Sequence, residues 1–139
     1  MQIKDLMTKN VVTVDKEDTL DQVARVMNEK NVGAVPVLSG KDLCGMVTDR
    51  DLVVRCLAQG KDAQSVMVSE IMTPTTACLT ADQTVEDAVN MMKAEKVRRI
   101  PVLNNGKVDG IITLGDIAQS RMEAEAADCL ADICRPKQP

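Results

Sequence analysis

Two short segments carry the residue types best suited to holding a small molecule. Gly45-Met46-Val47-Thr48-Asp49-Arg50-Asp51 and Gly110-Ile111-Ile112-Thr113-Leu114-Gly115-Asp116 each run from an apolar, strand-like stretch through a threonine to an aspartate three residues on. A helix beginning at that threonine would present unpaired N–H groups and a partial positive charge, which favour an anion such as phosphate. The hydroxyls of Thr48 and Thr113 add a hydrogen bond there, and the carboxylates of Asp51 and Asp116, acceptors only, suit the vicinal diol of a ribose. The same residues read equally as helix punctuation, with threonine as N-cap and aspartate as a favourable first-turn acid.

Nearby charges have two readings as well. Arg50, between Asp49 and Asp51, either reaches a phosphate or offsets two crowded acids. Arg98-Arg99 is either a phosphate clamp, since a guanidinium grips phosphate through two hydrogen bonds, or an exposed pair bridging to acids. The acids around Arg50 lack the ligand spacing and glycine of a calcium loop.

Composition removes much other chemistry. The 139 residues include no histidine, the commonest metal ligand and the usual base near neutral pH, which excludes zincins, Ser-His and Cys-His hydrolases. No nucleophile, base and orienter cluster together, so an enzyme is the weakest reading, with no catalytic residue, metal or required cofactor expected. The chain has no aromatic residue and a net charge of −4, which argues against a broad nucleic-acid surface. No apolar run approaches the roughly 20 residues of a membrane span, and MQIKDLMTKN lacks the regions of a signal peptide, so no membrane partner and a cytoplasmic location are expected. Five cysteines, an odd number without a CxxC pair, read as small buried hydrophobes rather than a disulfide framework or zinc knuckle. Cys129 and Cys134, near the terminus, stand apart as candidates for a redox role.

The elements that must position Thr48 and Thr113 emerge from a self-comparison. Sliding the chain by 65 residues aligns Ile3–Leu52 with Val68–Ile117 without a gap. Met7-Thr8 falls on Met72-Thr73, Thr19 on Thr84, Pro36-Val37-Leu38 on Pro101-Val102-Leu103, and Gly45, Thr48 and Asp51 on Gly110, Thr113 and Asp116. The chain is a tandem duplication, and a duplication copies caps as readily as sites.

In each copy a strand-like run, Val11–Val14 in the first, precedes a helix opened by a capping box at Thr19 and Gln22. Leu20, Val23, Ala24, Val26 and Met27 recur at helical spacing, as do Val85, Ala88, Val89, Met91 and Met92. The next run, Ala34–Leu38, holds a proline that belongs at a sheet edge or strand end. Ser39-Gly40 and Asn104-Asn105-Gly106 turn it into a hairpin with Leu43–Val47 or Val108–Ile112. A second helix buries Leu52, Val53, Cys56 and Leu57 on one face and ends near Gly60. With 45% hydrophobic residues and no aromatics, the core must be aliphatic and Met-rich. The fold class is α/β (α+β): two β-α-β-β-α repeats packed about a pseudo-twofold axis, with a cleft where equivalent edges meet.

The two copies resemble a pair of CBS domains, as in a free-standing bacterial-type protein of that family. The resemblance rests on Met7-Thr8 and Met72-Thr73, on Val35-Pro36-Val37 and Ile100-Pro101-Val102, and on the two Gly-x-x-Thr-x-x-Asp segments, and it extends to about Ser120. It implies a module that binds AMP, ADP, ATP or S-adenosylmethionine between its halves, with Asp51 and Asp116 on ribose hydroxyls and Thr48 and Thr113 near phosphate. It further implies that Val35-Pro36, Ile100-Pro101 and the first-strand positions Thr13 and Cys78 line the adenine slot. The candidate ligand-binding set is completed by Arg50 and Arg99.

The expected boundaries are residues 1–60 for the first domain, 61–67 for a linker, 68–120 for the second domain and 121–139 for a helical tail. In that tail Met122, Ala126, Cys129, Leu130 and Ile133 share a helical face that ends before Arg135-Pro136 and packs on the module or on a second subunit. The expected function is regulatory: binding of an adenosyl ligand relayed by shape change to an unidentified protein target, which requires two conformations of different affinity. The alternative is a structural module without ligand, valued for dimerisation; the resemblance implies a homodimer in either case.

Overall fold

The computed structural model describes residues 1–75, 77–120 and 123–134, with the backbone alone for 123–126. It is mixed α/β, and its two compact units are out of phase with the sequence repeat. One unit is Val12–Thr76; the other, composite, joins Met1–Val11 to Ala77–Pro139.

In the Val12–Thr76 unit, β1 (Val14–Asp15) leads to α1 (Leu20–Lys30), the hairpin β2 (Ala34–Ser39) and β3 (Asp42–Thr48), and α2 (Asp49–Leu52). A π-helical turn at Val53–Leu57, a 3-10 turn at Val68–Glu70 and β4 (Thr73–Pro74) complete it. The sheet order is β1-β2-β3-β4, with β1 parallel to β2 and the other pairs antiparallel. Thr19 opens α1 with its backbone N–H donating to Gln22 Oε1 at 2.9 Å. Asn31, left-handed at φ 53°, closes it, its N–H reaching Met27 O. Asparagine tolerates that conformation because its short polar side chain bonds locally.

The composite unit repeats the plan with β5 (Leu79–Thr80), α3 (Val85–Glu95), β6 (Arg99–Asn104), β7 (Lys107–Thr113) and α4 (Leu114–Gln119). It adds α5 (Glu123–Cys134) and, from the N-terminus, a 3-10 turn at Ile3–Asp5. Asn105 and Gly106, both at positive φ (52° and 79°), make the β6–β7 turn; two left-handed residues match the strands' right-handed twist. Both hairpins carry a register irregularity at the same repeat position, Val37/Leu38 and Val102/Leu103.

Each unit has its own aliphatic core. Leu20, Val23, Met27, Val35, Val37, Val47 and Cys56 form one with Val68 and Ile71. Leu79, Val85, Met92, Ile100, Val102, Ile112 and Ile117 form the other with Ile3, which is wholly buried. Full burial of such a side chain contributes about 1.5–3 kcal/mol, so each unit depends on a segment that the repeat periodicity assigns to the other copy.

The same exchange explains two motifs. Thr8 N–H donates to Ile111 O at 2.8 Å and Ile111 N–H returns to Thr8 O at 3.0 Å. This lays Met7-Thr8 over Gly110, where a Cβ would stand 2.7 Å from Met7 Sδ and 2.8 Å from Thr8 O. Met72-Thr73 lies over Gly45 at the same distances from Met72 Sδ and Thr73 O. The Met-Thr pairs and the glycines of Gly-x-x-Thr are therefore two halves of one packing contact.

Several local expectations are corrected. The first strand is two residues long instead of Val11–Val14, because only Val14 and Asp15 find partners on β2. Ala24 is exposed rather than buried in its helical stripe. Pro36 lies inside β2, not at an end, but β1 pairs only with Val37 and Leu38, leaving that side of the strand without a partner at the proline. Leu52 and Cys56 pack on the core, whereas Val53 and Leu57 are 54% and 68% exposed. There the chain winds with i→i+5 bonds, Ala58 N–H to Val53 O and Lys61 N–H to Cys56 O, and only the Leu52–Cys56 line meets the core.

Within the tail, Glu123–Cys134 form α5, which packs on α3 and α4 of its own chain. Cys129 is fully buried and Ile133 joins the core; Met122 and the side chain of Ala126 lie outside the described residues. Lys93 pairs with Asp128 and Asp132, the latter at 3.7 Å, and Lys96 Nζ donates to Asp132 O. The hydrogen bond to Asp128 raises the Lys93 pKa, and burial raises that of the Cys129 thiol. Both shifts favour protonated forms in the docked state, so their contribution is fully present below the ordinary pKa values and is lost as pH rises through the raised ones. Raising pH above the ordinary cysteine and lysine values, beyond about 10.5, should release α5 reversibly before global unfolding. Circular dichroism would read this as a partial loss of helix; a single cooperative transition would refute it.

Candidate functional site

The Thr-x-x-Asp segments are built alike and are reciprocal capping boxes. Thr48 N–H donates to Asp51 Oδ2 at 2.9 Å and Asp51 N–H to Thr48 Oγ1 at 3.1 Å. In the second repeat the distances are 2.9 Å and 3.0 Å for Thr113 and Asp116. Each threonine oxygen thus accepts a backbone bond and keeps its O–H to donate. Each aspartate spends one oxygen on the cap and keeps the other.

The repeats differ in what surrounds the second oxygen. In the Val12–Thr76 unit, Asp51 Oδ1 lies 3.7 Å from Arg55 Nε, and Arg55 is also held by Ile71 O and Thr73 Oγ1. In the composite unit the position of Arg55 is taken by Ser120, which donates to Ile117 O instead. Among the described residues no cation pairs with Asp116.

Arg99 sits directly across from Thr113 in the β6–β7 register, where the first repeat pairs Ala34 with Thr48. The backbone of Arg98 is fixed by Leu114 N–H donating to its carbonyl at 2.8 Å. Around these residues the composite unit carries a pocket of about 640 Å³ lined by Arg98, Arg99, Thr113, Leu114, Gly115, Ala118, Ala127 and Leu130. That volume lies within the roughly 300–1,000 Å³ of small-molecule sites. Gly115, in the lining, stands where the first repeat has Arg50, so that position contributes no side chain to the pocket.

The other candidate residues are placed as follows. Thr13 and Cys78 are half-buried and each precedes a first strand rather than lying in it. The side chains of Val35 and Ile100 belong to the two cores; only their main chain is left to meet a ligand. Pro36 and Pro101 are buried and Arg50 is exposed. The pocket brings together Arg99 and Thr113 but not Cys78, Ile100, Pro101 or Asp116. Its α5 residues, Ala127 and Leu130, were not singled out as site residues, because nothing in their spacing says where the tail docks. Gly115, opposite Arg50 in the repeat alignment, was a legible signal of open space.

Among the described residues, no three of cysteine, aspartate and glutamate gather as metal ligands would, and no helix is long and apolar enough to cross a membrane.

Comparison with known proteins identifies the family. The family model for the CBS domain matches residues 3–57 and again residues 68–123. The CBS domain-containing protein YhcV of Bacillus subtilis is 39% identical over 125 residues, spanning 90% of this chain and 89% of its own. A crystal structure of Hypoxic Response Protein I with two coordinated zinc ions superposes at a TM-score of 0.78 and 32% identity, covering 86% of this chain and 98% of that one. CBSX2 in complex with AMP superposes at 0.72 and 27% identity, covering 89% and 98%. The chain belongs to the CBS-domain family and carries two such domains in tandem.

Proposed function

We propose that this chain is a regulatory module rather than an enzyme, one that binds an adenosine-containing ligand and passes its presence to a protein target by change of shape. AMP, ADP, ATP and S-adenosylmethionine are the candidates; the complex of CBSX2 with AMP supports that class. The observation that carries the reading is the pocket beside Arg98, Arg99 and Thr113, with Asp116 capping the same short helix. Two guanidinium groups and a threonine O–H suit a phosphate, and the aliphatic lining suits a purine ring without an aromatic partner. The second repeat is favoured over the first, where Asp51 already faces Arg55 and the position of Arg99 is held by Ala34.

We further propose that the protein works in the cytoplasm as a homodimer. Val53, Val54 and Leu57, exposed together on one turn, are the surface that supports self-association.

Calorimetry on protein freed of carried-over nucleotide tests the ligand reading. AMP should bind, and Arg99→Ala should weaken it by about tenfold or more, the loss of one charge-assisted contact. Absence of heat from all four ligands would overturn the reading.

A further inference from the structure

The pocket has a wall that the repeat does not provide. Ala127 and Leu130 lie on α5, which follows the second CBS domain, and they face Arg98, Arg99 and Thr113 across the opening. On α5, Cys129 is fully buried and Ile133 packs on the core, while Leu130 is 40% exposed at the pocket. An aliphatic side chain left uncovered at the edge of a cavity gains by being covered with an apolar ring.

The attachment of α5 is specific to this repeat. Its anchors are Lys93, Lys96 and Arg98, the last with Nη2 3.9 Å from Cys134 Sγ. The corresponding positions of the first repeat are Asn28, Asn31 and Gly33. Val89, buried on α3 with its carbonyl 3.8 Å from Cys129 Sγ, corresponds to the exposed Ala24 of α1. The cations and the buried apolar contact that hold this acidic, amphipathic helix are therefore lacking at the equivalent positions of the other copy. Arg98 belongs to both the pocket and the anchorage, so its side chain joins a bound anion to the end of the helix.

We propose that α5 is a ligand-gripping wall of the second-repeat pocket, and that docking of this helix and binding of a phosphate-bearing compound with a flat apolar ring reinforce each other. The phosphate is held by Arg98, Arg99 and Thr113 and the ring is covered by Leu130, Ala127 and Leu114. The inference rests on the adenosyl reading above and extends it: the readout of occupancy is the state of the C-terminal helix. Coupling of this kind is reciprocal, so whatever loosens α5 weakens the ligand by the same factor that ligand tightens α5.

The test uses the full chain with AMP as the probe. Affinity is measured by calorimetry for the wild type, Leu130→Asp, which alters the wall, and Lys93→Glu, which repels Asp128 and Asp132. Alkylation of Cys129, followed by peptide mass spectrometry so that exposed Cys134 is scored separately, reports undocking of α5. Both variants should weaken AMP about tenfold, and saturating AMP should slow Cys129 alkylation of the wild type by about fivefold or more. Wild-type heat with AMP affinity unchanged in both variants, or with Cys129 alkylation indifferent to AMP, would overturn this inference and leave the adenosyl reading standing. Absence of heat from the wild type with all four adenosyl ligands would remove both.

Discussion

Gly110→Ala is expected to destabilise the composite unit by about 1–3 kcal/mol, the range of overpacking in a site that cannot relax. The new Cβ would lie 2.8 Å from the carbonyl oxygen of Thr8 and 2.7 Å from Met7 Sδ. The methionine can swing away, but the carbonyl cannot, because its residue is bonded to Ile111 in both directions. The strain must therefore part the Met7-Thr8 segment from β7. Gly115→Ala, five residues on, is the control: among the described residues its Cβ meets nothing nearer than Thr113 Oγ1 at 3.6 Å, and alanine in a helix is favoured over glycine by about 0.5–1 kcal/mol. Chemical denaturation of the two variants should show shifts of opposite sign. A Gly110→Ala protein as stable as the wild type would refute the contact between the two motifs.

Ile3→Ala should cost about 2–5 kcal/mol, the usual loss on cutting a fully buried isoleucine. What makes it informative is where the loss falls. Ile3 packs with Leu79, Met92, Ile112 and Ile117, while Val68, its counterpart in the other copy, packs with Leu20, Val35 and Val47. The variant should raise amide exchange across α3, β6 and β7 and leave α1, β2 and β3 near their wild-type rates. If protection fell instead in α1 and β3, the segment would pack within its own copy and the assignment of units would be wrong.

Much of this architecture was legible in the chain itself. The 65-residue offset placed Thr48 on Thr113 and Asp51 on Asp116, and capping chemistry put both threonines at the starts of helices, where the structure has them. Helical spacing located α1 and α3, and the Asn-Gly turn fixed the second hairpin. The exchange of Ile3 and Val68 was not legible, because a repeat shows which residues are equivalent and carries no sign of which copy each one touches. The exposure of Val53 and Leu57 escaped periodicity, which cannot foresee a π turn or where a core ends. At the candidate site, Arg99 and Thr113 share the pocket, whereas the residue pattern could not separate the side chain of Ile100, which the core takes, from the pocket lining. Leu130 was read as part of an apolar stripe, and only the docking of α5 on Lys93 and Lys96 brings it to Thr113.

The exchange of N-terminal segments also sets an order of events on the ribosome. Every residue of the Val12–Thr76 unit is within reach once Thr76 has been made, including Val68, whose N–H reaches back to Asp18 O. Ile3 emerges about a hundred residues ahead of its core partners Met92, Ile112 and Ile117. At about 5–20 residues per second, Ile3 waits about 5–20 seconds for those partners, and the unit that carries the candidate pocket is the later of the two to be completed.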